Sequence, residues 1–282
     1  MIEAEDVAIA GQLACLLEVT APKPGNVSPG RHFHDTRFED FLVSAAAIGP
    51  ALAGAGERAL GATILAAVDA TTRWTRSNTN LGIILLLAPL ARAALRGNRP
   101  LRDAVRETLN ATTVADSADV YTAIRRARPG GLGEAAREDV SAAPTLTLVG
   151  AMALAADRDT VAREYATGFE TTFEIGAPAV AEARAAGLDW SDAAIEAYLR
   201  LLSSIPDTHI ARKLGRPAAD EVTRRARAVV EAGGVRSERG RRALEAFDTE
   251  LRDATNSRNP GTTADLTCAA LFVVILEQRR NP

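Results

Sequence analysis

The chain has 282 residues, 47% apolar, 24% charged and only 4% aromatic, a balance that excludes a disordered tail, a collagen-like fibre and a disulfide scaffold. Lysine and arginine number 33 against 36 carboxylates, for a formal charge of −3, so there is no global basic surface to hold nucleic acid and a small-molecule partner is expected. The acidic start, Met1 to Asp6, lacks the charged-then-apolar order of a signal peptide. The apolar runs 81–90 and 268–276 are about half the ~20 residues of a membrane span, which points to a cytoplasmic protein with no membrane partner.

About a fifth of the residues are alanine and β-branched alternation is scarce, so helix propensity dominates and an all-α bundle of about a dozen helices is predicted. The first helix, near 3–19, runs into Ala21-Pro-Lys-Pro-Gly-Asn-Val-Ser-Pro-Gly30, a loop too rich in proline and glycine to be helical and stiff enough to position something. Helices follow near 38–54 and 57–72, then a polar stretch from Arg73 to Asn80, where Asn78 or Asn80 would cap a helix carrying Pro89. Further helices are predicted near 100–113 and 115–127, and after a glycine-rich turn at 129–133, near 144–156, 159–175, 177–186, 190–204, 217–232, 236–255 and 262–279. No linker or repeat divides the chain, so residues 1–282 read as one domain, with its oligomeric state open.

Zinc, EF-hand and Walker A signatures are absent. Cys15 and Cys268 lie among apolar residues and read as reduced core thiols. Only Lys23 and Lys213 among the basic residues are lysine, and the three histidines, His32, His34 and His209, all lie near one of them. Pro260-Gly-Thr-Thr-Ala-Asp265 reads either as a helix N-terminus offering N–H groups to an anion or as an ordinary capped helix. The segment 207–213 reads either as a polyphosphate site, with Arg212 and Lys213 as cations and a metal on Asp207, or as a helix start capped by Asp207.

Together these segments resemble the triphosphoribosyl-dephospho-CoA synthases, or ATP:dephospho-CoA triphosphoribosyltransferases, over nearly the whole chain. The matching pieces are Glu18-Val19 with Pro22-Lys-Pro-Gly25, Asp35-Thr36 with Phe41 and Ser44, and Asn78-Thr79 with Gly82. Further on they are Tyr121 with Gly133-Glu134-Ala135, Asp207-Thr208 with Arg212, and Pro260-Gly261 with Ala264-Asp265-Leu266. The resemblance implies that the ribose 2′-hydroxyl of dephospho-CoA attacks C1 of the ATP ribose and displaces adenine. An oxocarbenium-like centre wants a nearby carboxylate, the hydroxyl a base, and the departing adenine a proton.

On that reading Glu18, Asp35, Glu134 and Asp207 are the candidate catalytic carboxylates, and Asp207 with Asp265 would hold Mg2+. Lys23, Arg212 and Lys213 would neutralise the triphosphate of ATP. The remaining candidate binding residues are Gly25, Asn26, Ser44, Asn78, Thr79, Asn80 and Gly82 in the first half of the chain. In the second half they are Tyr121, Gly133, Thr208, Gly261, Thr262 and Thr263.

Departures from the family pattern are equally specific. Where most of its members read Asn-Thr-His-Lys/Arg-Gly, this chain reads Asn78-Thr79-Asn80-Leu81-Gly82, losing an imidazole and a cation. The family histidine two positions before the first-loop aspartate is absent, since His32 and His34 flank that register, and Thr262-Thr263 replaces a Gly-Ser pair. These changes keep open a related nucleotide-using enzyme with another acceptor and a non-catalytic nucleotide-binding homologue.

Overall fold

A computed structural model of the chain describes residues 2–280 except 98, 132 and 134. Among the described residues it contains fourteen α-helices and no sheet, with one isolated bridge between Ser28 and Arg31. The all-α expectation therefore holds.

Four helices make the centre: α1 (Ala4–Thr20), α4 (Leu81–Ala94), α10 (Trp190–Ser204) and α14 (Gly261–Arg280). Every residue of α4 from Ile83 to Ala91 is buried, and α14 is buried on all sides from Leu266 to Val274, as a helix apolar around its whole circumference must be. The helix α14 packs on α1, α4 and α10, and one connected core runs from Ile2 to Leu276. By length and mean hydropathy α14 and the stretch Phe38–Gly56 each suffice for a membrane span, which the apolar runs alone did not suggest; 72% of the α14 window is buried inside the bundle. Cys15 of α1 and Cys268 of α14 meet in this core as free thiols, their Sγ atoms 3.7 Å apart.

Around the centre lie α2 (Phe38–Ala53), α3 (Leu60–Thr72), α5 (Leu101–Asn110) and α6 (Val114–Ala127). A short 3₁₀ turn, Gly54–Gly56, follows α2, and α3 begins at Leu60 rather than at the expected 57. The helices α3 and α6 approach closely where the Gly61 N–H donates to Asp116 Oδ1 at 2.8 Å, and Asp116 also closes a capping box with Thr113. This seats α6, the carrier of Tyr121.

The predicted helix 159–175 is instead α8 (Thr160–Thr167), preceded by α7 (Leu148–Ala153) and followed by a π-helical turn, Thr172–Gly176, and α9 (Ala177–Ala185). Gly168 and Phe169 at positive φ end α8, and the buried Glu164 carboxylate accepts the freed N–H groups of Thr171 and Thr172, each at 2.9 Å. A seven-residue helix, α11 (Thr208–Leu214), then leads into α12 (Arg216–Glu231) and α13 (Glu238–Leu251).

Candidate active site

One cavity of about 780 Å³ opens between the N-terminus of α14, the C-terminal end of α1, the N-terminus of α4 and the helices α6, α7, α8 and α11. It is a meeting of helix ends, where backbone groups without intrahelical partners and loop side chains can face a ligand. Glu18, Asn26, Asp35, Asn78, Thr79, Asn80 and Gly82 line its first half. Tyr121, Gly133, Arg212, Lys213, Gly261, Thr262 and Asp265 line the rest, so residues scattered over most of the sequence meet in one space. Glu134 lies outside the described residues.

Glu18, near the end of α1, is 4% exposed and pairs with Lys23, whose Nζ lies 2.8 Å from Glu18 Oε1. The chain folds back after α1 so that the ammonium also donates to the carbonyls of Glu18 and Ala21, the latter at 3.2 Å. Lys23 is fully buried and is not part of the cavity wall. The expectation that it neutralises a triphosphate directly is therefore corrected: its three donors are spent on the backbone turn and on the ion pair that fixes Glu18 at the wall.

Asp207 likewise lies behind the wall, 2% exposed. Its Oδ1 caps α11 by accepting from the N–H groups of His209 and Ile210 at 2.8 and 3.0 Å, while Oδ2 accepts from the N–H and hydroxyl of Thr263 at 2.7 and 2.8 Å. One carboxylate thus serves the N-termini of two helices. Burial raises its pKa and these four hydrogen bonds oppose the rise. Both oxygens being engaged, Asp207 offers no ready lone pair to a metal or a proton in flight. The anion expected at the start of α14 is in part supplied by the protein itself, and Thr263 does not reach the cavity wall.

Three other predicted contacts act as supports rather than lining. Ser44 Oγ lies 2.5 Å from Thr79 Oγ1 and fixes that side chain from behind. Gly25, at φ +75°, donates its N–H to Asp248 Oδ1 at 2.8 Å, and a β-carbon there would crowd Leu251. Thr208 donates to Thr262 Oγ1 at 3.1 Å.

Asp265 faces the cavity beside Gly82, and burial together with the charges of Glu18 and Asp207 pushes its pKa well above the usual carboxylate range. Arg212 reaches the wall paired with Asp159, Nη1 to Oδ2 at 2.6 Å, and the other Asp159 oxygen caps α8. Lys213 is exposed at the cavity, partial desolvation lowers its pKa, and it donates to the Asn256 carbonyl at 3.4 Å. Tyr121 donates toward the carbonyl and the carboxylate of Glu138, both at 3.0 Å, and so holds the loop around Glu138 against α6.

A family model described as ATP:dephospho-CoA triphosphoribosyl transferase (CitG) matches residues 4–282. The chain belongs to this family. A Stutzerimonas stutzeri protein named as a 2-(5''-triphosphoribosyl)-3'-dephosphocoenzyme-A synthase is 39% identical over 113 residues, 40% of this chain and 38% of that protein. An Azotobacter vinelandii protein of the same name is 37% identical over 117 residues, 41% of this chain and 39% of the relative. These alignments span about two fifths of the curated relatives' own length. A crystal structure of an Archaeoglobus fulgidus protein named as a triphosphoribosyl-dephospho-CoA synthase superposes with a TM-score of 0.64 at 29% identity, over 84% of this chain and 98% of the other.

Several cavity residues of this CitG-family chain escaped the sequence reading. His209 lines the cavity beside Gly261, and burial with the charges of Lys213 and Arg212 pushes its pKa down to about 3, leaving the imidazole neutral. Its place after Asp207-Thr208 was a usable signal, since a capped helix start exposes its first turn. Asp159, Arg76, Arg128, Arg137 and Arg158 also reach the wall, with no local motif to set them apart from the chain's many other charged residues. Asn80 is 6% exposed and donates to Thr71 Oγ1 at 3.2 Å, so the side chain braces α3 against the start of α4.

Proposed function

We propose that this chain transfers the triphosphoribosyl group of ATP to the 2′-hydroxyl of dephospho-CoA. The ribose C1–N9 bond of ATP breaks with its electron pair going to adenine, a bond from C1 to the acceptor oxygen forms, the hydroxyl proton goes to a protein carboxylate, and adenine takes up a proton at a ring nitrogen as it leaves, so no net proton is gained or lost. The observation that carries the reading is the meeting, in one cavity of a CitG-family chain, of the ion-paired Glu18 with Arg212, Lys213 and the start of α14. A negative charge fixed by Lys23 suits a sugar that becomes cationic as its bond to adenine stretches. Arg212 and Lys213 supply the positive charge a triphosphate needs.

Asp35, on the cavity wall and exposed, takes the acceptor proton. Mg2+ commonly binds proteins through one or two carboxylates and completes its shell with phosphate oxygens and water. Among the described residues no group of three or more His, Cys, Asp or Glu is placed to hold a metal by itself. Asp265 fits a phosphate-borne ion, because its carboxyl faces the cavity and makes no hydrogen bond to another described residue, whereas the doubly capping Asp207 does not fit. Mg2+ would neutralise part of the triphosphate charge there. On this reading the partners are ATP and dephospho-CoA rather than nucleic acid or membrane, and the protein works in the cytoplasm.

Chromatography of the nucleobase tests the proposal. Adenine should appear only when ATP and dephospho-CoA are both present, and its absence under those conditions would refute it.

A further inference from the structure

The cavity has two chemically different sides. One is the polar side of Glu18, Asp265, Arg212 and Lys213, built by α1, α11 and α14. The other is an apolar wall to which the consecutive helices α6, α7 and α8 contribute Ile124, Met152 and Val161, with the fully buried Val120 and Leu148 behind them. A sugar triphosphate has no use for such a wall. The helices that carry it pack against each other in order, α6 on α7 and α7 on α8, so its apolar residues form one surface rather than scattered contacts.

Three arginines, Arg128, Arg137 and Arg158, line the cavity from the segments that flank this wall. Among the described residues none of them pairs with a carboxylate, in contrast to Arg212 with its 2.6 Å contact to Asp159. Arg128 ends α6 in the left-handed conformation, φ 49° and ψ 55°, with its N–H on the Ile124 carbonyl at 3.1 Å. A non-glycine residue in that region is uncommon and strained, and the fold sustains it at the cavity edge. Exposed cations with no carboxylate partner among the described residues, beside an apolar surface, match a ligand with an anionic diphosphate and a long, weakly polar tail. They do not match the compact, highly charged end of ATP.

We infer that the α6–α7–α8 wall and its three arginines form the acceptor end of the cavity, with the pantetheine arm of dephospho-CoA on the apolar surface and its diphosphate on the arginines. This rests on the proposed reaction for the identity of the acceptor. It adds a direction: the donor triphosphate lies toward α11 and α14, and the reacting ribose centres meet between, near Glu18. The volume of about 780 Å³ falls in the upper part of the ~300–1,000 Å³ range of ligand pockets.

The test is isothermal titration of the full-length protein with dephospho-CoA, ATP and 4′-phosphopantetheine separately, in the wild type, Met152→Asp and Arg158→Gln. Both variants should lose about tenfold or more in affinity for dephospho-CoA and keep ATP affinity within about twofold, because one places a charge in the apolar wall and the other removes a phosphate partner. In the wild type, 4′-phosphopantetheine should displace dephospho-CoA and leave ATP bound. Arg158 is exposed, so its variant should fold even if Met152→Asp does not. Unchanged dephospho-CoA affinity in the folded variants overturns the inference, as does an equal loss for ATP, or a wild type that binds no dephospho-CoA. If dephospho-CoA binds as expected but no adenine is released, the proposed reaction fails while the acceptor-end assignment stands.

Discussion

The carboxylate of Asp265 occupies the space that a side chain at position 82 would need: a β-carbon built on Gly82 would overlap Asp265 Oδ2. Glycine at the start of α4 is therefore a packing requirement of the candidate site, and it sets how far Asp265 projects into the cavity. Gly82→Ala should destabilise the fold by about 1–3 kcal/mol and displace the carboxylate, with loss of most of the proposed transferase activity. In an Asp265→Ala background the same change should cost about 0.5 kcal/mol or less, since the overlapping group is gone. Thermal melts of the four proteins measure this coupling, and equal costs in both backgrounds would disprove it.

Scarcity of lysine suggests a phosphate ligand at position 23, and burial gives a different reason for its retention. The ammonium of Lys23 sits without solvent between Glu18 Oε1 and two carbonyls, a pocket for a compact point charge. Lys23→Met should cost about 3–5 kcal/mol, because it strands the Glu18 charge, and Lys23→Arg should cost about 1–3 kcal/mol through overpacking. Chemical denaturation of each variant provides the comparison. Wild-type stability in both would mean that the ion pair is dispensable.

Asp207 joins α11 to α14, so its loss should be felt in structure before chemistry. Asp207→Ala removes two caps at once and should destabilise by about 2–4 kcal/mol, taking a cap at ~1–2 kcal/mol each. Asp207→Asn keeps a carbonyl acceptor for one helix and should lie between the alanine variant and the wild type. Urea denaturation midpoints of the three proteins provide the check.

How much of this was legible in the sequence differs between fold and site. Helix propensity and breakers located most elements: the expected 38–54, 115–127 and 190–204 appear as Phe38–Ala53, Val114–Ala127 and Trp190–Ser204. The run 159–175 did not survive, because Gly168 and Phe169 turn left-handed and Glu164 satisfies the N–H groups set free, a tertiary solution with no local pattern. At the site, most of the polar segments at helix ends meet at one cavity, since helix ends are where loops gather. Depth was not readable. A lysine within Pro22-Lys-Pro-Gly25 looks like a solvent-facing loop residue until the fold closes over it, and Asp207 reads equally as ligand or cap until Thr263 arrives from 56 residues away. Arg128, Arg137 and Arg158 become distinctive only through the wall beside them.

The neutral imidazole of His209 predicts a pH dependence. Its folded pKa is pushed from 6.5 down to about 3, so between those values the unfolded chain binds more protons than the native one. Stability therefore rises with pH across that window and falls as the pH drops from about 6.5 toward 3, by roughly 3 kcal/mol at pH 4 from this group. His209→Gln should flatten that part of the stability profile. Denaturation midpoints at pH 7 and pH 4 for both proteins make the comparison, and parallel profiles would show that His209 is not buried neutral.

The most direct measurement is mass spectrometry of the reaction of ATP with dephospho-CoA, following product, adenine and phosphate together. One adenine should appear for each dephospho-CoA consumed, with a product carrying the ribose and all three phosphates intact. Release of AMP, ADP or free phosphate in step with product, or ATP that binds with no adenine released, would contradict it.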